Sequence, residues 1–216
     1  MTSKQYHHGD LKASLITAAN VILSRDGADA LSLRAIAAEA GVSHMAPYAH
    51  FKNKKELIKS IAEAGFVEMA ETMEAVAADL KATKRVTSAD LVLAYGASYL
   101  EFATRNPELY RLMLGQVETT GRKSKKESIA APQTQSESTL QVSVTPLFSE
   151  NTQRPFVLLK EAFALNGDQA EAKALGAWSM VHGMAALMIE GHIQRPKGIS
   201  FKRFLVATIP FSKQLK

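Results

Sequence analysis

The sequence predicts an all-α protein of about nine helices, a three-helix helix-turn-helix head followed by a larger helical domain. Apolar residues recur at three- and four-residue spacing along most of the chain, and no run alternates as a half-buried strand does. Helix punctuation is dense, with Ser or Asn before the apolar runs and Gly or Pro after them. The 216 residues are 46% hydrophobic and include no cysteine, so a packed core must hold the chain without disulfides or thiolate metal sites.

The first helix is predicted from Leu11, Leu15, Ile16, Ala19, Ile22 and Leu23, and Gly27 stops it. Ser32 caps a second helix through Leu33, Ile36, Ala37 and Ala40, and Gly41 supplies the left-handed residue that ends it. Ser43 then caps a third helix, HMAPYAHF, only about three residues later. Ala37 is small where the two must cross, so the pair reads as a helix-turn-helix, with Pro47 at the fourth position of its second helix. Such a second helix fits the major groove of duplex DNA.

Asn53 caps a long fourth helix with Leu57, Ile61, Phe66, Met69, Met73 and Leu80 on its apolar side. Ser88 is the expected cap of the next, which stops at Asn106-Pro107, and Pro107 opens a short helix ending near Gly115. From about 116 to 145 the composition turns to Gly, Ser, Thr, Gln and Lys, which predicts a flexible loop. Three further helices are expected over Pro155–Leu165, Gln169–Ile193 and Phe201–Phe211. The division expected is residues 1–55 for the head and 56–216 for the second domain.

Ala174 to Ile189 holds no Asp, Glu, Lys or Arg, but it is shorter than the roughly 20 apolar residues of a membrane span. A helix apolar on nearly every side needs partners on nearly every side. Small residues at Ala177, Gly183, Ala185 and Ala186 allow close approach, so this helix and the one from Phe201 are expected to form a four-helix seam with a second copy. The alternative is a fully internal core helix. The first residues, MTSKQYHHGD, lack the apolar stretch of a secretory signal, and a cytoplasmic protein is expected.

The net charge of +5 suits a nucleic-acid partner, and its distribution matters more than its size. Residues 1–60 carry eight Lys or Arg against five acids, whereas 61–79 carry five acids and no base. The basic run Arg122 to Lys126 reads as a solvated loop.

Residues 6–58, YHHGDLKASLITAANVILSRDGADALSLRAIAAEAGVSHMAPYAHFKNKKELI, resemble the DNA-binding domain of the TetR family of bacterial transcriptional repressors. The opening YHHGDL and the WSMVHG at Trp178 to Gly183 resemble a subgroup whose C-terminal domain bears a Trp-His-Gly signature. The resemblance implies a homodimer reading a palindromic operator, with a C-terminal domain that binds a small effector and dimerises. Carried over by position, Arg34, His44 and Met45 face base edges, Ser32, Tyr48, His50 and Lys54 hold phosphates, and Ser43 heads the reading helix.

The chemistry of these side chains supports those roles independently. Arg34 can fork to guanine, hydroxyl and phenol groups can donate to phosphate, and Lys54 stands at a helix start that already favours anions. Met45 and Ala46 cannot hydrogen-bond to a base, so contact with thymine methyls must supply part of the preference. The family often has a basic or larger side chain before the histidine of its Y-x-H-F signature, where this chain has Ala49. Phe51 is assigned to the core and Tyr48 to DNA. His7 and His8 are adjacent and so do not face one another as metal ligands would; with Lys4 they read as a polar arm approaching the duplex.

Tyr95, Tyr99, Phe102, Tyr110, Met113, Phe163, Trp178 and His182 are each ordinary core types, yet as a set they suit a cavity for a mainly apolar effector with a few polar handles. No metal or cofactor is expected. An enzyme finds no support, because GxSxG, P-loop, HExxH and dinucleotide glycine motifs are all missing. The competing class is a DNA-bound adaptor that recruits a protein partner, which calls for a packed interior beneath Trp178 and His182.

Overall fold

The computed structural model describes residues 11–83, 85–123, 150–165 and 169–209, and the regular structure among them is entirely helical. Eight α-helices and two short 3-10 segments occur in these residues. They fall into two compact units: the described residues up to Gly65 with Glu108–Gln116, and Phe66–Pro107 with the described residues from Val117 onward.

In the first unit α1 (Leu11–Asp26) buries Leu15, Ala19, Ile22 and Leu23. Gly27, at φ 81°, ends it. Ser32 caps α2 (Leu33–Glu39), its Oγ accepting from Ala35 N at 3.0 Å. Gly41 adopts φ 68°, and Val42 N and Gly41 N donate back to Ala37 O at 2.9 Å and Ala38 O at 3.1 Å. Those two bonds form a Schellman stop, which satisfies carbonyls the helix end would otherwise orphan.

The third helix departs from expectation. Ala46–Ala49 is a 3-10 turn rather than an α-helix beginning after Ser43. Pro47 has no N–H to give Ser43 O, and it disfavours the α region at Ala46. The carbonyl of Ser43 is instead taken by Ala46 N at 3.0 Å. This is why eight α-helices stand among the described residues where about nine were expected.

Helix α3 (Lys54–Thr83) starts as predicted, with Glu56 N donating to Asn53 Oδ1 at 3.0 Å and Lys52 N donating to the Glu56 carboxylate at 2.7 Å. Leu31, Ile36, Phe51, Leu57 and Ile61 are fully enclosed and make the centre of this unit.

Helix α4 (Ser88–Arg105) is central to the second unit and packs against α6 (Glu150–Ala164), α7 (Ala170–Ile189) and α8 (Phe201–Thr208). Its cap is Thr87, not Ser88: Thr87 Oγ1 accepts from Asp90 N at 3.2 Å while the Asp90 carboxylate accepts from Thr87 N at 3.1 Å. Ser88 turns inward and donates to Ala162 O at 2.7 Å. Both residues are hydroxyls at a helix start, so composition alone could not choose between them.

Helix α5 (Pro107–Lys123) runs past Gly115 and takes in 116–123 of the expected loop. No proline follows Pro107 until Pro132, and polar composition alone does not end a helix. The remainder of the loop, Lys125 and Lys126, and the arm with Lys4, His7 and His8 lie outside the described residues.

Helix α6 begins before Pro155, which is tolerated early in the element because only about one ladder bond is lost. Helix α7 ends at Ile189 rather than Ile193 because Gly191, at φ 78°, closes another Schellman stop. Helix α8 ends at Thr208 rather than Phe211, since Pro210 forces Ile209 into an extended conformation. Nor is α7 fully internal: it buries Ala174, Val181 and Ala185 but exposes Gly176, Ser179, Gly183, Ala186 and Leu187.

Candidate functional site

The turn between α2 and α3 lifts a compact set of side chains out of the first unit. Pro47 and Phe51 point inward and are buried, so the residues between and beside them must face solvent. Met45 is 60% exposed and Tyr48 53%, high values for large apolar and aromatic side chains. Arg34, on the exposed side of α2, joins His44 and Tyr48 around one open concavity of about 430 Å³. A guanidinium, an imidazole and a phenol thus converge on a space roomy enough for a phosphate or a base edge.

The other predicted residues belong to the same unit but do not line this concavity. Ser32 Oγ accepts from Ala35 N, and Ser43 Oγ accepts from Met45 N at 3.3 Å. A hydroxyl used as an acceptor in this way can still donate outward. His50 is exposed beside buried Phe51, and Lys54 is exposed at the first turn of α3, its Nζ donating to Asp29 O at 3.4 Å. The side chains can offer donors for phosphate, a fork for guanine and an apolar knob for a thymine methyl.

The second unit holds a small cavity of about 30 Å³. Val92, Leu93, Tyr95, Gly96 and Tyr99 of α4 form one wall, Ala177, Trp178, Met180 and Val181 of α7 another, with Met73, Leu159, Leu205 and Ile209 closing it. Trp178 lies edge-on to Tyr99 at 5.2 Å and to Phe156 at 5.9 Å between centroids. Tyr99 Oη sits 2.6 Å from His182 Nδ1, and the indole and imidazole centroids are 4.9 Å apart. Burial lowers the pKa of His182 to about 4, so the ring is neutral near pH 7. Burial raises that of Tyr95, with a smaller push from the Glu161 carboxylate.

Of the eight residues expected around an effector, Tyr95, Tyr99 and Trp178 line this cavity and His182 meets it through Tyr99. Phe102 and Phe163 are buried in the same unit but do not line it. Tyr110 and Met113 belong to the first unit, where Met113 packs on Gly65. The sequence did not assign Gly96, Met73, Met180 or Leu205 to the cavity they line. Gly96, a glycine within an apolar helix, was the legible signal of a close approach.

Among the described residues no group of three or more His, Asp or Glu is placed to hold a metal ion, and no helix is long and apolar enough to cross a membrane.

Residues 15–61 match the family model for bacterial regulatory proteins of the tetR family, and residues 92–208 match that for a tetracyclin repressor-like C-terminal domain. No curated protein matches the chain. Among solved structures it is similar to a protein of unknown function from Rhodococcus sp. RHA1, at 25% identity and TM-score 0.69, covering 99% of this chain and 97% of that one. It is also similar in fold to a bacterial regulatory protein in the tetR family from Rhodococcus RHA1, at 15% identity and TM-score 0.55, covering 94% and 93% of the two chains. The fatty acid degradation regulator FadR from Bacillus halodurans shares the fold at 14% identity and TM-score 0.58, covering 94% and 96%.

Proposed function

Because the chain belongs to the TetR family of DNA-binding transcriptional regulators, which are not enzymes, we propose that it is a homodimeric repressor released from a palindromic operator by a small, mainly apolar effector. The observation that carries this reading is the exposed tip on which Arg34, His44 and Tyr48 surround one concavity beside Met45. Arg34, His44 and Met45 read base edges; Ser32, Tyr48, His50 and Lys54 hold the phosphates, with Ser43 beside them at the DNA-facing turn. Residues 1–55 are the DNA-binding head and 56–216 the effector and dimerisation domain, working in the cytoplasm.

Dimerisation is assigned to α7 and α8. Leu187 and Val206 are each 44% exposed, and of the four small residues expected at the seam Gly183 and Ala186 are exposed beside Gly176 and Ser179, whereas Ala185 is buried and Ala177 lines the cavity. A second copy covers such a surface at little steric cost. The mutual contacts of Trp178, His182 and Tyr99 support placing the chain in the Trp-His-Gly subgroup. The effector reading places its ligand at the cavity of about 30 Å³ beside them, whereas the adaptor reading calls for a packed interior. Release requires that the effector bind unequally to two placements of the paired heads, since only that difference can shift operator affinity.

The test is a footprint of the protein on the DNA upstream of its own gene, with the mass measured by light scattering. Protection of two half-sites about 34 Å apart by a dimer is expected. A monomer, or no preference over unrelated DNA at low salt, would overturn the reading.

A further inference from the structure

The cavity of the second unit has a chemistry narrower than "apolar". None of the side chains lining it is charged. A charged ligand group would lose its hydration there with no partner to replace it. The histidine behind Tyr99 is held neutral by burial and offers no counter-charge. The nearest ion cluster satisfies itself, because Arg154 bridges Glu74 at 2.8 Å and Glu161 at 3.2 Å, and all three side chains are substantially exposed to screening solvent.

The walls also discriminate among neutral molecules. Trp178 is already held by edge-to-face contacts with Tyr99 and Phe156, and the thioethers of Met73 and Met180 stand beside the same space. Ring edges and sulfur atoms attract an aromatic ligand beyond the area it buries, and an aliphatic ligand of equal size receives only the area contribution.

We propose that the cavity takes a small uncharged aromatic molecule, one ring in size, seated against Trp178 and Tyr99 and admitted by displacement of Leu205 on α8. The proposal rests on the reading of the second unit as an effector domain. A cavity of about 30 Å³ is smaller than a benzene-sized ligand occupies, so a wall must give. The wall assigned to move is α8, an eight-residue helix whose one buried residue is Leu205. Leu205 faces Gly96, where a Cβ would stand 3.0 Å from Leu205 Cδ1 and 3.4 Å from Val181 Cγ1. Because residue 96 has no side chain, Leu205 and Val181 pack directly against the α4 backbone at the edge of the cavity, and a Cβ there would push Leu205. Moving α8 also moves Val206, part of the surface assigned to the second copy, so filling the cavity acts on the dimer seam.

Trp178 is the one tryptophan in the chain, and its emission therefore reports on this cavity alone. The full-length protein is titrated with toluene, methylcyclohexane, benzoate and benzylamine, following tryptophan emission and Tm, with operator binding measured in parallel. Toluene is expected to shift the emission and raise Tm by a few degrees near saturation, as linkage requires of a ligand that binds the folded state. Benzoate and benzylamine are expected to do neither, and methylcyclohexane to bind about tenfold more weakly. Gly96→Ala is expected to weaken toluene binding about tenfold with the helical circular dichroism unchanged.

No response to toluene up to its solubility limit, or an equal response to methylcyclohexane or benzoate, overturns the assignment whether or not Gly96→Ala folds. Lost toluene binding with operator binding intact removes only this inference. Toluene binding by a protein that ignores its operator removes the regulator reading and leaves the cavity assignment standing.

Discussion

Tyr99 Oη and His182 Nδ1 lie 2.6 Å apart across the α4–α7 contact, a phenol hydrogen-bonded to an imidazole that burial keeps neutral. The folded pKa of His182, about 4, lies below the unfolded value near 6.5. As pH falls the unfolded chain takes the proton first, so stability is fully present above about 6.5 and is lost as pH drops toward 4. The loss attributable to this group is roughly 2 kcal/mol between pH 8 and pH 5. Urea unfolding at the two pH values should show it, and His182→Gln should lose much less over the same interval.

Met45 presents a thioether with no hydrogen-bond donor at the exposed tip, beside Ala46 and Ala49. A thymine methyl is the base feature it can recognise. Replacing thymine by uracil in the half-sites should weaken binding by about 1 kcal/mol, roughly fivefold in anisotropy titrations. Met45→Ala should then bind the thymine and uracil operators alike. A wild-type protein indifferent to the methyl removes this role.

Tyr48 and Lys54 carry groups suited to phosphate, which has the same chemistry at every base pair. The pair Tyr48→Phe and Lys54→Ala should weaken operator and unrelated DNA together and lower the salt slope by about 1, because one counterion fewer is released. Arg34→Ala should behave differently, costing about 1–3 kcal/mol on the operator and relaxing the preference at one base pair. Unchanged binding by the double variant removes the phosphate assignment.

Two adjacent hydroxyls at the start of α4 do separate work. Thr87→Ala breaks the reciprocal cap with Asp90 and should cost about 1 kcal/mol. Ser88→Ala removes the buried donor to Ala162 O and should cost about 1–2 kcal/mol. Both belong to the second unit, so operator affinity should stay within twofold at temperatures where the variants remain folded. A denaturation midpoint unmoved in either variant contradicts its assigned bond.

The parts legible in the sequence are those fixed by local chemistry. Ser32 and Gly41 stand where local chemistry calls for an N-cap and a left-handed stop, and both serve those uses. The 3-10 turn at Pro47 was harder, because apolar spacing does not register which carbonyl an N–H selects. Thr87 and Ser88 were ambiguous because the inward turn of Ser88 depends on Ala162, far along the chain. Around the cavity, the aromatic residues drew notice through their size. Gly96 alone marks a close approach, but that Leu205 is the residue approaching it is a property of two helices meeting, and no single segment encodes that.

Pro47 and Phe51 anchor the exposed tip from below, leaving Met45 and Tyr48 on a backbone already fixed by a ring and a buried aromatic. Ordering a mobile loop on association costs on the order of 1–2 kcal/mol per residue, and here that entropy is surrendered during folding instead. Association with a partner then freezes little beyond a few rotamers. Loosening the anchor, as Pro47→Gly would, should slow capture and hasten escape without altering any of the exposed side chains.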